Sequence, residues 1–141
     1  MSLDNIFGIA GSAMNAQGAR MNTVASNLAN ANTVASNEQT AFRAKKVVFK
    51  AILDQQTATK GLNNSGGVKV QAITDDPSPV RKVSDPGNPL ADKDGFVYQS
   101  NVNEMSEMVE MMAASRSYQN NVEVVNTARQ LMLRTLDITK T

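Results

Sequence analysis

The sequence predicts a mainly α protein with a small β-containing insert, in which long N- and C-terminal helices pair as an antiparallel coiled coil. Both ends of the chain carry apolar side chains at alternating spacings of three and four residues. Such spacing keeps side chains on one face of an underwound helix, where a partner helix can cover them. The middle of the chain instead contains all four prolines and several short β-type runs.

The first helix is predicted from about Leu3 to Ala31. Its apolar stripe is Leu3, Phe7, Ala10, Met14, Gln17, Met21, Val24, Leu28 and Ala31. Three glycines interrupt this helix, and they are Gly8, Gly11 and Gly18. Each costs roughly 1 kcal/mol relative to alanine, so they indicate either a weak, frayed helix or a surface that neighbouring helices approach closely. A cluster of asparagines then favours a helix end, because Asn suits caps and left-handed positions. These residues are Asn27, Asn30 and Asn32.

Residues 34–99 are predicted to form an extended and β-hairpin region. Short apolar or alternating runs in this region are typical of strands. The runs are Val47–Phe49 with Ile52, Val68–Ala72, Val80–Val83 and Phe96–Tyr98. The segment 61–67 is rich in glycine and asparagine, which predicts a hairpin turn.

A second long helix is predicted from about Asn101 to Ile138, a stretch without glycine or proline. Asn101 followed three residues later by Glu104 resembles a capping box. Acidic residues near its start and basic residues near its end complement the helix dipole. The predicted stripe is Met108, Met111, Ser115, Tyr118, Val122, Val125, Arg129, Met132 and Leu136. Residues 1–33 and 100–141 would together form the helical core.

Large apolar residues are scarce for a chain of 141 residues, which has no Trp, two Tyr and four Phe. Alanine buries little surface, and methionine is a flexible filler that specifies packing poorly. The composition therefore predicts either a small, loosely packed helical domain or an incomplete core that other chains complete. Under the second interpretation, the termini are largely disordered in the isolated chain and fold on assembly.

Composition also argues against several classes of function. A net charge of +1 disfavours nucleic-acid binding, which needs a concentrated basic face. Without cysteine or histidine, neither a disulfide, a Cys/His zinc site nor a Ser-His-Asp triad can form, so we expect no enzyme activity, cofactor or metal. Asp92–Gly95 is predicted to be a surface turn, because Leu90 and Asn101 would occupy ligand positions of a calcium loop. No secretory signal is recognisable, and these residues alone indicate the cytosol.

Several segments resemble the axial proteins of the bacterial flagellum, a superfamily of rod, hook and hook-associated subunits. Ser26–Asn30, which reads SNLAN and is followed by Thr33, is similar to the N-terminal signature of that superfamily. Other segments resemble proximal rod proteins, and the similarity spans nearly the whole chain. They are Phe42–Phe49, Gly66–Val70, Pro86–Asp92, Gly95–Val97, Ala114–Gln119 and Met132–Leu136. Phe42 stands where the rod pattern has tyrosine.

The resemblance implies a structural subunit of the basal-body rod, whose terminal helices line the inner tube. It implies a shaft that crosses the periplasm, transmits motor torque and encloses the export channel. Export would use the flagellar type III apparatus, unfolded and without a cleaved signal, which replaces the cytosolic expectation. The implied partners are copies of the chain, the rod proteins FlgB, FlgF and FlgG, the basal adaptor FliE, the inner-membrane MS-ring protein FliF and the export apparatus. Neither nucleic acid nor direct membrane insertion is implied.

Subunit contacts are predicted at the end of the first helix and along the second. The residues are Asn27, Leu28, Asn30, Met108, Met112, Arg116, Tyr118, Gln119, Val122, Arg129 and Leu136. Arg129 interrupts an apolar stripe, so it either extends out of the seam or forms an intersubunit ion pair. Phe49–Leu53 is either a strand core or part of an export signal. Two alternatives stay open, namely a soluble coiled-coil adaptor or secretion chaperone, and another flagellar rod subunit.

Overall fold

A computed structural model describes residues 3–52 and 66–138 as two long helices with two small β-sheets between them in the chain. The helices are α1 (Leu3–Ala29) and α2 (Glu104–Ile138). The strands are β1 (Val34–Ala35), β2 (Lys45–Ala51), β3 (Val68–Asp75), β4 (Arg81–Ser84) and β5 (Phe96–Gln99). The predicted class, mainly α with a β-containing insert, is confirmed. Leu53 and most of the predicted 61–67 turn lie outside the described residues.

The apolar stripe predicted for α1 is confirmed, because from Phe7 to Ala31 every one of its positions is buried or half-buried. The helix ends at Ala29, within the asparagine cluster. There the Asn30 amide donates to the carbonyl oxygens of Ser26 and Asn27, and its side-chain nitrogen donates to Ser26 at 2.8 Å. The competing side-chain hydrogen bond is the property that makes Asn favourable at helix ends.

The β2–β3 hairpin is antiparallel and lies along α1. Phe49 of β2 packs against Arg20, whose guanidinium carbon is 5.5 Å from the ring centroid. Two positions nearer the hairpin loop, the Val68 amide donates to the Ser12 hydroxyl at 3.2 Å. A two-stranded sheet is marginal by itself, so these contacts with α1 stabilise it.

A second antiparallel sheet has the strand order β1-β5-β4. Its central strand β5 carries the buried Val97, and on β4 the Lys82 ammonium lies 4.3 Å from the centroid of the Phe96 ring. The strands predicted near Val80–Val83 and Phe96–Tyr98 are confirmed. Strand β1 was not predicted, since two residues are too few to show a periodicity.

Helix α2 begins three residues later than predicted, and its cap is Asn103 rather than Asn101. The Asn103 side-chain oxygen accepts from the Ser106 amide at 3.2 Å, and its carbonyl accepts from Glu107 at 3.0 Å. This is the geometry of an N-cap residue. The capping-box prediction was therefore wrong in register.

The two helices run in opposite directions, as their contacts along the pair indicate. Asn27 near the end of α1 meets Glu107 near the start of α2, and Arg20 meets Glu110 at 3.3 Å. Ile6 near the start of α1 lines a groove with Leu131 in the last quarter of α2. Because the α2 residues of this groove run from Asn120 to Leu131, the final turns of α2 extend beyond Ile6.

The stripe predicted for α2 is confirmed only in part, since four of its nine positions, Met111, Ser115, Val125 and Met132, are half-buried. The residues of α2 that are buried or half-buried are Glu107, Glu110, Met111, Ala114, Ser115, Ser117, Asn121, Val125, Ala128 and Met132. Five predicted seam residues are exposed instead, and they are Met108, Tyr118, Val122, Arg129 and Leu136. The small Ala114 and Ala128, 0% and 4% exposed, allow the rest of the chain to pack closely against α2. The larger side chains beside them are left facing outward.

The hydrophobic core is thin, as the composition predicted. Among the described residues, the buried hydrophobic side chains are seven alanines and three valines. One small cluster joins Ala31, Ala44 and Val102, with Phe42 packed against it. In the described part of the chain, neither helix contains a segment long and apolar enough to cross a bilayer.

Two glycine substitutions should change stability in opposite directions. Gly67 has a φ of 136°, and a Cβ there would lie 3.0 Å from the Ser12 hydroxyl oxygen. Gly67→Ala should therefore lower the free energy of unfolding by about 1–2 kcal/mol. A Cβ at Gly11 meets nothing within 4 Å, so Gly11→Ala should raise it by about 0.5–1 kcal/mol. Urea unfolding followed by circular dichroism measures both, and shifts of equal sign would contradict this account.

Candidate assembly surface

Asn27 is the side chain through which α1, the insert and α2 are joined. It is 1% exposed, and its oxygen accepts from the Lys45 amide at 2.8 Å while its nitrogen donates to the Lys45 carbonyl at 2.9 Å. The same nitrogen donates to a Glu107 carboxylate oxygen at 3.1 Å. One amide group thus satisfies both backbone groups of the residue that begins β2 and also holds the first turn of α2.

Asn101 likewise uses its side-chain amide to bind backbone groups, including that of Ala44, the residue before Lys45. Its oxygen accepts from the Ala44 amide at 2.7 Å, and its nitrogen donates to the Ser78 carbonyl at 2.9 Å. Arg81 on β4 donates to the Val102 carbonyl at 2.9 Å, which fixes the segment before α2. We call the set of Asn27, Ala44, Lys45 and Asn101 the junction. It fixes how the β-containing insert leaves and rejoins the helical pair.

Carboxylates in the first turns of α2 hold the C-terminal part of α1. Glu107 accepts from Asn27 of the junction, as described above. In addition, Glu104 accepts from the Asn32 side-chain nitrogen at 2.6 Å, and Glu110 pairs with Arg20. The Arg20–Glu110 pair is 36% and 47% exposed at its two side chains, so it contributes modestly to stability.

Two aspartates outside the helices are held in their charged form. The Lys46 ammonium, together with the hydroxyl and amide of Ser78, keeps the pKa of Asp76 well below its ordinary value. The backbone amide of Phe96 chiefly lowers the pKa of Asp92, whose carboxylate also accepts from the Asp94 amide. These bonds close the surface turn predicted at Asp92–Gly95.

Exposed large apolar side chains lie on several outward sides of α2. Met105, Met108, Val109 and Met112 are 49–73% exposed. Further along the helix Val124, Leu131, Leu133, Leu136 and Ile138 are also exposed. A concentration of exposed apolar surface on a monomer marks an interaction site. Within residues 3–52 and 66–138, no group of three or more acidic residues is placed to hold a metal ion.

The residues predicted as subunit contacts separate into two groups. Met108, Met112, Arg116, Tyr118, Gln119, Val122, Arg129 and Leu136 are exposed on α2. Asn27, Leu28 and Asn30 are buried or half-buried at the end of α1, where Asn27 and Asn30 make hydrogen bonds within the chain. The structure therefore gives Asn27 an intramolecular role, whereas the predicted α2 residues are exposed on the helix surface.

Sequence reasoning missed Asn101, Asn103 and Glu107 as residues that organise the site. Asn101 did indicate a helix boundary, but the capping pattern placed the cap two residues early. Nothing in the spacing indicated that Asn101 would bind the backbone at Ala44, since that contact joins segments 57 positions apart.

Comparison with known proteins places this geometry in a family. Residues 7–35 match the family described as "Flagella basal body rod protein", and residues 93–138 match "Flagellar basal body rod FlgEFG protein C-terminal". The chain is 52% identical over 138 residues to the flagellar basal-body rod protein FlgC of Yersinia enterocolitica, covering 98% of both chains. It is 49% identical to FlgC of Salmonella typhimurium, again over 98% of both, and 49% identical to FlgC of Buchnera aphidicola subsp. Acyrthosiphon pisum over 99% of this chain and 100% of the relative.

Asn27→Ala should destabilise the chain far more than Asn32→Ala. The first substitution leaves the Lys45 amide and carbonyl and the Glu107 carboxylate without their partner, which should cost about 2–5 kcal/mol. Asn32 is exposed, so water can replace its bond to Glu104. Urea unfolding of both variants measures the difference. Equal losses in the free energy of unfolding would show that the Asn27 hydrogen bonds do not stabilise the fold more than an exposed one does.

Asp76→Asn should make the stability of the chain less sensitive to acid. Because the folded-state pKa of Asp76 is depressed, its contribution is fully present above the unfolded pKa of about 4 and is lost as the pH falls through the folded value. The stability difference between the parent chain and the variant should therefore be constant near neutrality and shrink below about pH 4. Unfolding curves from neutral to acid pH test this. Asp94→Asn is the matched control, since Asp94 is in no ion pair found in the described part of the chain.

Proposed function

The chain belongs to the FlgC family of flagellar basal-body rod proteins and is a structural subunit of the rod, and we propose that its exposed α2 face joins copies of the chain into the rod wall. The observation that carries this proposal is the number of methionines and aliphatic residues that α2 exposes on its outward sides. A helix that is apolar on faces beyond the one packed in its own chain requires further partners.

The thin core supports assembly as the source of stability. Alanines fill most of the buried positions, so the single chain buries little apolar surface. Covering the exposed side chains of α2 between neighbouring subunits would add burial that the chain lacks. Under this proposal the helical pair is completed as a coiled-coil layer only within the rod, and residues 34–99 form the surrounding layer.

The dimensions of the helices suit a stiff shaft. At 1.5 Å per residue, the 35 residues of α2 span roughly 52 Å and the 27 residues of α1 roughly 40 Å. Side-by-side repetition of such pairs, with different faces meeting at each contact, generates an open helical tube. We expect the tube to enclose the export channel and to transmit motor torque across the periplasm.

The remaining parts of the proposal concern how the chain is exported and which other proteins it contacts. We expect the chain to leave the cell through the flagellar type III apparatus, and to contact FlgB, FlgF, FlgG, FliE and FliF. A marginal core is compatible with export in an unfolded state, because little stability must be overcome. Arg129 and Arg116 are exposed on α2 and join none of the ion pairs within residues 3–52 and 66–138, which supports roles for them between subunits.

Family membership over nearly the full length decides against the adaptor and chaperone alternative. Fractionation of cells tests the assignment directly. The chain should co-purify with hook–basal bodies and be lost from the cytosolic fraction as flagella form. Retention of the whole pool in the cytosol of motile cells would overturn the proposal.

A charge on the outward face of α2 should abolish swimming. Val122→Asp places a carboxylate where an apolar neighbour is expected, and desolvating it would cost several kcal/mol. Synthesis of the protein should be unaffected, as immunoblotting checks. Val122→Ala keeps the site apolar and serves as the matched control, with motility measured on soft agar. Normal swimming of the Asp variant would remove Val122 from the predicted contacts.

A further inference from the structure

The β2–β3 hairpin carries two like charges directly opposite each other. Lys50 and Lys69 are paired across the ladder, and both are exposed. Directly opposed like charges destabilise an antiparallel pair. Neither lysine takes part in an ion pair within residues 3–52 and 66–138.

These lysines point away from α1. Phe49, the neighbour of Lys50 on β2, is half-buried and faces Arg20 of α1, so the alternation of the strand turns Lys50 to the opposite side. Val48 shares that side with Lys50 and is 40% exposed. We call Val48, Lys50 and Lys69 the hairpin face, which is basic with an apolar centre.

The start of α2 has the complementary character. Glu104, Met105, Met108 and Met112 recur at the spacing of one helix face, and all four are exposed. We call them the methionine face. From 101 to 115 the chain carries three glutamates and no basic residue. Glu104 accepts from the neutral Asn32, and it forms no ion pair within residues 3–52 and 66–138.

The two faces lie on different sides of the same molecule. Ser106 and Glu110 of α2 line a groove with Lys46 and Val47 of β2, so this side of α2 faces its own hairpin. Met108 lies two residues from both Ser106 and Glu110, which places it on the far side of the helix. The methionine face therefore cannot close on the hairpin face of the same chain.

We propose that the methionine face of one copy docks on the hairpin face of the next copy in the rod. The Glu104 carboxylate would lie against Lys50 and Lys69, relieving their repulsion, while methionines cover Val48. Flexible methionine side chains adapt well to a shallow strand surface. Because the two faces differ and each copy carries both, the contact repeats head to tail and grows an open array. This inference rests on the proposed rod function and names the surfaces that join its copies.

Disulfide trapping tests the contact, since the chain contains no cysteine. In cells that assemble flagella, the double variant Val48→Cys/Met108→Cys should give a ladder of multimers under mild oxidation, because each disulfide must link two chains. The control pair is Val48→Cys/Val124→Cys, whose helix position is equally exposed but lies on another flank of α2. It should yield no ladder.

The outcomes separate the inference from the function on which it rests. A chain present in basal bodies without the Val48–Met108 ladder would overturn the inference and leave the rod assignment intact. The same holds for equal ladders from both pairs, or for products joined to a different protein. Absence of the cysteine-free parent from basal bodies would instead overturn the function.

Charge exchange provides a second test that does not depend on cysteines. Glu104→Lys and the double variant Lys50→Glu/Lys69→Glu should each lose incorporation into basal bodies, and combining all three changes should restore it. Glu104→Gln retains an acceptor for Asn32, so it separates the loss of charge from the loss of that hydrogen bond. Failure of the combined variant to recover, while Glu104→Gln assembles normally, would contradict the contact.

Discussion

The hydrogen bonds of Asn27 are the constraint on which the rest of the fold depends. A chain with a core of alanines and valines has little apolar burial with which to fix the relative positions of its elements. The hydrogen bonds of Asn27 supply this specificity instead, because an amide satisfied by the backbone N–H and C=O of one residue and by one carboxylate fits only one arrangement of the three segments. A buried polar group without a hydrogen-bond partner is costly, so alternative arrangements that leave the backbone amide and carbonyl of Lys45 unpaired are disfavoured.

This dependence explains why the junction end of the helical pair has more specific side-chain contacts than the rest of the pair. Near the junction, Glu104, Glu107 and Glu110 each have a named partner on or just after α1. Further along, the pair meets through Ala114 and Ala128, which permit close approach but give little side-chain specificity. Contacts within one chain therefore fix how the two helices meet at the junction end. At the far end, where α2 continues past Ile6, packing against neighbouring chains would add stability.

The sequence predicted α1 better than α2 for a physical reason. α1 lies between α2 and the hairpin, so its apolar residues have partners within the chain and the periodic stripe coincides with the buried face. α2 has one intramolecular face and several outward ones, and many of its large side chains, such as Met108 and Tyr118, lie on the latter. Periodicity reports which residues share a face, but it does not report which molecule covers them. The contact from Asn101 to Ala44 was equally out of reach, because a bond between distant segments leaves no local pattern.

The same asymmetry links the fold to its assembly. Glycines on α1 weaken the helix, yet at Gly8, Gly11 and Gly18 an added Cβ would meet nothing within 4 Å, so packing within the chain does not require them. Exposed methionines on α2 and opposed lysines on the hairpin likewise leave the single chain less stable than its own topology permits. A protein selected to stand alone would lose such features readily, since small stabilising changes are common. Their joint presence on outward faces is expected of a subunit whose lowest free energy is reached only beside its neighbours.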